Sequence, residues 1–339
     1  MTRCGRLPVV YVPDADERLS SWAARMAPFY AMTVSEFVSA LGLQGHDVFD
    51  LEWRLSEGQG ALIAARTGLS PEAVRAMTFW DLLPEARMMI ARGHGRRCPA
   101  CPSDIRRRTS ALPWAFHCAV HVADLQDAAG GSLPAILGTG PMAALERAAK
   151  AGATVLEAWA HGVGQQGFGP VEMLALLTAR HRRASPLSLR EQPRMSLQTR
   201  RDYHEFLTTP ITRQALTVIV PEYDRVAPVL TKPVLSGPRS LAQGSLLQSF
   251  ALTVGIGRIA EDPVARAIDV LLASDADGEG RVQAVLSSWP LSLRRRISAR
   301  LWRAQRDESA RQIVAKPSRR GQSHKYRRVQ SHEYRARIS

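Results

Sequence analysis

The sequence predicts a mostly α-helical protein. Ala, Leu and Arg abound while aromatic residues make up only 6% of the 339 positions. Apolar residues recur at helical spacing rather than alternating, and helix start and stop signals return along the chain. The length suggests two or three domains, and 45% hydrophobic residues are enough to bury ordinary cores. The start, MTRCGRLPVVYVPDADERLSSW, lacks the apolar run of a secretory leader, and no stretch approaches a membrane span. The expectation is a cytoplasmic protein with reduced cysteines.

Residues 14–41 read as two helical segments. DADERLSSWAARMAPFYA opens with acidic capping residues, and Leu19, Trp22, Met26 and Phe29 repeat at helical spacing as a core stripe. In TVSEFVSAL, Thr33 and Glu36 form a capping box. ALIAARTGLSPEAVRAMTFW, residues 61–80, has the pattern of a helix-turn-helix. Gly68 can take the left-handed conformation that stops the first helix, and Ser70-Pro71-Glu72 supplies an N-cap, a first-turn proline and an acid at the positive helix end. Such a unit can offer Arg66, Ser70, Glu72 and Arg75 to a DNA groove, or pack protein against protein.

Next come Cys98 and Cys101 in RRCPAC, then Cys118 and His121 in FHCAVH. The spacing, C-x2-C-x16-C-x2-H, is close to that of ribbons in which two tight turns aim four soft ligands at one zinc ion. Three thiolates and an imidazole are a closed, structural set with no position for a catalytic water. Three of the four cysteines fall in this window; the alternative is a set of buried thiols. His117 and His94 are alternatives for the fourth ligand, and Cys4 has no partner at a useful spacing. Seven arginines and one acid, Asp104, lie between Arg87 and Arg108. Among them Arg96, Arg97, Arg106, Arg107 and Arg108 are candidate phosphate or RNA contacts, or a solvated basic loop.

AAGGSLPAILGTG, residues 128–140, is Gly-rich and reads as a linker. Helical stretches follow: PMAALERAAKAGATVLEAWAHG, GPVEMLALLTARHRR, TRRDYHEFLTTPITRQALTVIV, PVARAIDVLLAS and GRVQAVLSSWPLSLRRRISARLWRAQRDESARQIV. PRMSLQTRRDY and PVLSGPRSLAQGS read as irregular connectors. The division is therefore an N-terminal region over 1–127, holding the helix-turn-helix (61–80) and the ribbon (96–122), a helical C-terminal domain over 141–312, and a disordered basic tail over 313–339.

The formal net charge is +14, yet the last 46 residues, from Arg294, carry fifteen Arg or Lys against three acids. Such a segment neutralises phosphates and binds nucleic acid in a salt-sensitive, sequence-independent way, or is simply solvated. The tail also holds a near-duplicate, QSHKYR and QSHEYR. Arg319, Arg320, Lys325, Arg327 and Arg328 are its candidate contacts. Chemistry is weakly signalled: no G-x4-G-K-[ST] occurs, GIGRIA at Gly255 follows no βα start, and Asp275, Asp277 and Glu279 beside Gly278 and Gly280 read as a solvated loop.

ERLSSWAAR, LIAARTGLSPEAVRAMT, and the run from CPAC to W-x3-CxxH that contains Trp114 together resemble, in order and spacing, the TniQ/TnsD family of transposon targeting proteins. The resemblance is strongest over residues 8–125; beyond 130 it rests on helical character and Trp289-Pro290. It implies a non-enzymatic adaptor that binds a target DNA, or a CRISPR RNA-guided complex, and passes its location to an AAA+ ATPase of the TnsC/TniB type, which recruits the transposase. It also implies one structural Zn2+ on Cys98, Cys101, Cys118 and His121, and allows a homodimer. The second zinc ribbon that members often carry is absent from VADLQDAAGGSLP, and the short chain fits the compact TniQ type. The competing expectation is a zinc-containing helix-turn-helix transcription regulator.

Overall fold

A computed structural model describes residues 5–90, 96–127, 130–163, 167–184, 211–226 and 235–315. The described residues are mostly helical, with one two-stranded antiparallel sheet. No helix among them is long and apolar enough to cross a membrane. The candidate contacts Arg319, Arg320, Lys325, Arg327 and Arg328, together with Cys4 and His94, lie outside the described residues.

The first five helices are α1 (Leu19–Phe29), α2 (Val34–Ala40), α3 (Val48–Arg54), α4 (Glu57–Thr67) and α5 (Pro71–Ala76). Leu19, Trp22 and Met26 are buried as the stripe on α1 requires, whereas Phe29 is exposed and meets Tyr11 edge-on. The Thr33–Glu36 capping box forms. Gly68 closes α4 at φ +72°, and Ser70 caps α5 with Pro71 in its first turn. Helix, turn and helix thus occur in the expected order, with bounds shifted: α4 starts at Glu57 behind a Ser56–Gln59 capping box, and α5 is six residues long. The acids before α1 do not cap it, because Arg18 occupies the N-cap without a side-chain bond. The Asp16 carboxylate binds Thr109 in the segment after Cys101, and those of Asp14 and Glu17 hold Arg25.

Helix α6 (Pro84–Arg87) leads toward the cysteine segment, and α7 (Leu133–Leu137) follows it. The stretch read as a linker is therefore partly helical, with Leu133 and Leu137 buried in the main core. Then come α8 (Thr139–Ala160), α9 (Pro170–Thr178), β1 (Arg180–Ala184), β2 (Ile211–Gln214), α10 (Leu216–Ile219) and α11 (Pro221–Val226). The chain ends in α12 (Arg239–Gln243), α13 (Leu246–Glu261), α14 (Pro263–Ala273), α15 (Ala276–Leu286) and α16 (Leu291–Ala315). Both strands fall in stretches read as helical. At β1 the buried His181 lies between exposed Arg180 and Arg182, so the alternation is there but is carried by polar residues that mask it. Helix α12 likewise occupies part of a stretch read as a connector, with Leu241 buried. The acids Asp275, Asp277 and Glu279 are not a loop: Asp275 caps α15 and the other two sit in its first turn, beside the positive helix end.

Helices α8 and α13 cross at glycines. A Cβ on Gly152 would stand 1.9 Å from the Thr253 carbonyl oxygen, and one on Gly257 2.1 Å from that of Ala148. The GIGRIA glycines serve close helix packing, Gly257 against the α8 backbone and Gly255 against the Leu177 side chain on α9. Gly257→Ala is expected to destabilise the protein by about 1–3 kcal/mol, since the obstacle is backbone that cannot rotate away; urea denaturation measures this.

Candidate metal centre and its arginine surround

The cysteine segment is pinned from both sides. Toward the N-terminus, Glu17 and Arg107 form an antiparallel bridge, the Arg18 N–H donates to the Arg106 carbonyl at 3.0 Å, and the Thr109 N–H donates to the Asp16 carboxylate at 3.0 Å. Ser21 Oγ accepts the Arg106 N–H at 2.9 Å and donates to the Asp104 carbonyl at 3.1 Å. Arg25 grips the buried Glu17 carboxylate with Nε and Nη2, at 2.8 and 2.6 Å. Toward the C-terminus, the Trp114 indole donates to Glu157 on α8 at 2.6 Å, and Phe116 meets Phe250 on α13 edge-on at 5.1 Å. Trp53 and buried apolar residues from Phe79 to Phe116 share one hydrophobic core with the later helices, while α1, α2, α4 and α5 pack around a second core of their own.

Within this frame Arg97 pairs with Gln126 and His117 with Asp124, closing a small ribbon. The Cys98, Cys101, Cys118 and His121 ligand atoms all lie within 4.8 Å of one another. Cys101 Sγ is 3.8 Å from Cys118 Sγ, and His121 Nδ1 is 3.6, 3.4 and 3.7 Å from the Cys98, Cys101 and Cys118 sulfurs. A tetrahedral zinc with ordinary Zn–S and Zn–N bonds would separate its ligands by about 3.8 Å between sulfurs and about 3.6 Å between sulfur and nitrogen. The four residues fit a single ion of that kind, and the sulfurs are too far apart for a disulfide. His117 is turned away, its Nδ1 3.0 Å from Asp124.

The electrostatics run the same way. Burial works against the Cys118 thiolate, but the backbone N–H groups of His121 and Val120, with the neighbouring side chains, bring it down to about 7. Burial and then the Cys118 and Cys98 sulfurs push Cys101 up, against the pull of Arg107. Three thiols this close cannot all ionise without a cation, and a divalent ion supplies one. The turn stores strain as well: Val122, 78% exposed, sits at φ +56°, a region that β-branched residues avoid. Val122→Asn is expected to stabilise the protein by about 1 kcal/mol, because Asn tolerates this conformation and little packing is lost. A thermal melt showing no rise would contradict it.

The arginines read as nucleic-acid contacts divide by environment. Arg97 and Arg106 are exposed, and Arg108 pairs with Asp81 at 2.6 Å. Arg96 is half-buried, donates to the Pro113 and Ala115 carbonyls at 2.9 and 2.5 Å and covers Phe116 at 4.8 Å. Arg107 is buried and donates to the Ala15 carbonyl. These two build the site's frame, not its surface. On the helix pair, the Ser70 hydroxyl is used in capping. Glu72, exposed, is held below the usual carboxylate range by a backbone N–H and Ser70. Arg75 stacks on Trp80 at 4.7 Å and reaches Glu57 at 3.7 Å, while Arg66 donates to the Gly5 carbonyl at 3.4 Å. These four stay apart from the metal cluster. Asp16, Glu17, Arg18 and Arg25 were missed as supports of the site; the acidic run ending in Arg18, DADER, is the trace of the first three in the sequence.

Residues 8–125 match the TniQ family model, and this span holds the five N-terminal helices and all four ligands. The chain carries a TniQ domain. No match was found among curated proteins or solved structures.

Proposed function

We propose that the protein is a non-enzymatic targeting adaptor of a DNA transposition system in the bacterial cytoplasm. It links a target DNA, or a CRISPR RNA-guided complex, to an AAA+ ATPase that recruits the transposase. The observation carrying this is that the TniQ match spans the very segment that the Cys98, Cys101, Cys118 and His121 cluster ties into one unit. A single structural Zn2+ on those residues agrees with their separations and donor set. Its role is to hold the ribbon rigid, since a Cys3His set leaves no open position for chemistry. The exposed Arg75, Arg97 and Arg106 and the basic segment after Arg294 supply the nucleic-acid contacts.

A transposition assay with and without the protein tests this, combined with co-purification of the ATPase. Targeted insertion is expected to fall to background without it. Unchanged, correctly placed insertion would eliminate the adaptor role, and binding of a promoter without any ATPase would favour a transcription regulator.

A further inference from the structure

Five arginines, Arg18, Arg96, Arg97, Arg106 and Arg107, line a pocket of about 490 Å³ between the cysteine ribbon and the start of α1, and its lining contains no Asp or Glu. Their charges are not equally compensated. Arg18 is neutralised by Glu52. Arg96 donates to the Pro113 and Ala115 carbonyls and covers the Phe116 ring, and among the described residues it forms no ion pair. Arg107 is buried, and its Nε has no hydrogen-bond partner among the described residues. Arg97 and Arg106 stand exposed at the rim, and among the described residues neither forms an ion pair. Even with three thiolates around a divalent ion, which together would carry one net negative charge, the four remaining cations outnumber the anions, and the cavity wall holds no carboxylate. Holding guanidinium groups together away from water is unfavourable unless something negative completes them.

We propose that this pocket is a phosphate-binding site, filled by a backbone phosphate of a nucleic-acid strand. Guanidinium forks match phosphate oxygens two at a time, which ammonium groups cannot do. The volume exceeds what one isolated oxyanion needs and leaves room for the attached sugar. The site lies beside the metal cluster, so an ion that fixes Cys98 and Cys101 also fixes the wall that presents the arginines. The inference deepens the targeting role by naming what these arginines hold. It is tested by binding alone, so its failure and that of the transposition assay are separable.

The test uses the full-length, metal-loaded chain and two probes: the 5′-phosphorylated dinucleotide pTpT by calorimetry, and a labelled single-stranded oligonucleotide by fluorescence anisotropy across a salt series. The wild type is expected to bind pTpT in a saturable 1:1 manner, and Arg97→Ala/Arg106→Ala to abolish this while keeping one metal per chain and an unchanged melting temperature. The same variant should lower the salt slope for the oligonucleotide by about 0.7, the share of one neutralised phosphate on a single strand. Arg54→Ala/Arg147→Ala, exposed on α3 and α8, should leave pTpT binding intact. Binding of pTpT with no change in the oligonucleotide slope would move the source to a free nucleotide and overturn the backbone assignment. Absence of saturable pTpT binding, or equal binding of an oligoglutamate peptide displaced by Arg97→Ala/Arg106→Ala, would overturn the phosphate site itself.

Discussion

Cys101→Ser is expected to abolish metal binding at the cluster and to unfold the two ligand turns, residues 97–104 and 117–126. Ala111, Leu112, Trp114 and Phe116 stay held in the main core, but the turns' own core is only Cys98, Cys118 and Leu125, with Cys101, Ala115 and Ala123 packed at its edge. So few buried side chains do not offset the conformational entropy of ordering the turns. The coordination energy must supply most of the difference, and for structural zinc in small peptides it amounts to about 10–16 kcal/mol at neutral pH. With one thiolate replaced by a poor ligand, that term collapses. The loss should travel: Asp16, Glu17 and Ser21 bind residues 104–109 directly, so exchange protection is expected to fall at the start of α1 too. Elemental analysis with amide hydrogen exchange checks both parts, and one ion per chain retained in the variant contradicts the prediction. The pH dependence has a definite sign. The metal needs all three thiolates, Cys118 sits at about 7 and Cys101 above its ordinary value. Metal uptake near neutrality therefore releases protons, and apparent affinity should climb as pH rises above 7 and fall below it.

What could be read from the chain beforehand was the part governed by local chemistry. The Thr33–Glu36 box, the Gly68 stop and the Ser70-Pro71 start act over three or four residues, and all form as expected. The ligand quartet was legible for the same reason, because each half is a two-residue turn whose geometry does not depend on the rest of the fold. Features set by tertiary partners were not legible. Helix α3 has only seven residues and a charged side chain on its buried face, so no periodicity announced it. His181 is buried within β1 between arginines, which hides a strand behind polar letters. Arg96 and Arg107 look like surface cations in a basic run, and only the fold reveals that backbone carbonyls and an aromatic ring absorb them. The glycines of α13 show the converse: a motif-like spacing that helix crossing explains.

Glu52→Gln is expected to cost about 3–5 kcal/mol, more than either glycine or turn substitution. Glu52 is fully buried on α3, and its carboxylate accepts the Ser20 N–H at 2.7 Å and the Arg18 Nε at 3.1 Å, with Arg18 Nη2 bonded to the same oxygen. Arg18 is buried as well, its guanidinium 5.6 Å from the Trp53 ring and 5.7 Å from that of Phe79. The amide keeps the shape and one acceptor but removes the charge, leaving a cation among aromatic rings without its counter-ion. The pair is not expected to be worth its deletion cost. Both groups were desolvated to form it, so the double change Arg18→Met/Glu52→Leu should recover most of the loss. A denaturation cycle over the wild type, Arg18→Met, Glu52→Leu and the double variant, with Glu52→Gln measured beside it, decides the matter. A single Glu52→Gln variant within about 1 kcal/mol of wild type would mean that water or another group already balances Arg18. A double variant no better than the single would instead assign the pair a positioning role, since Arg18 stands where the chain turns into α1 and its backbone N–H holds Arg106 at the mouth of the arginine pocket.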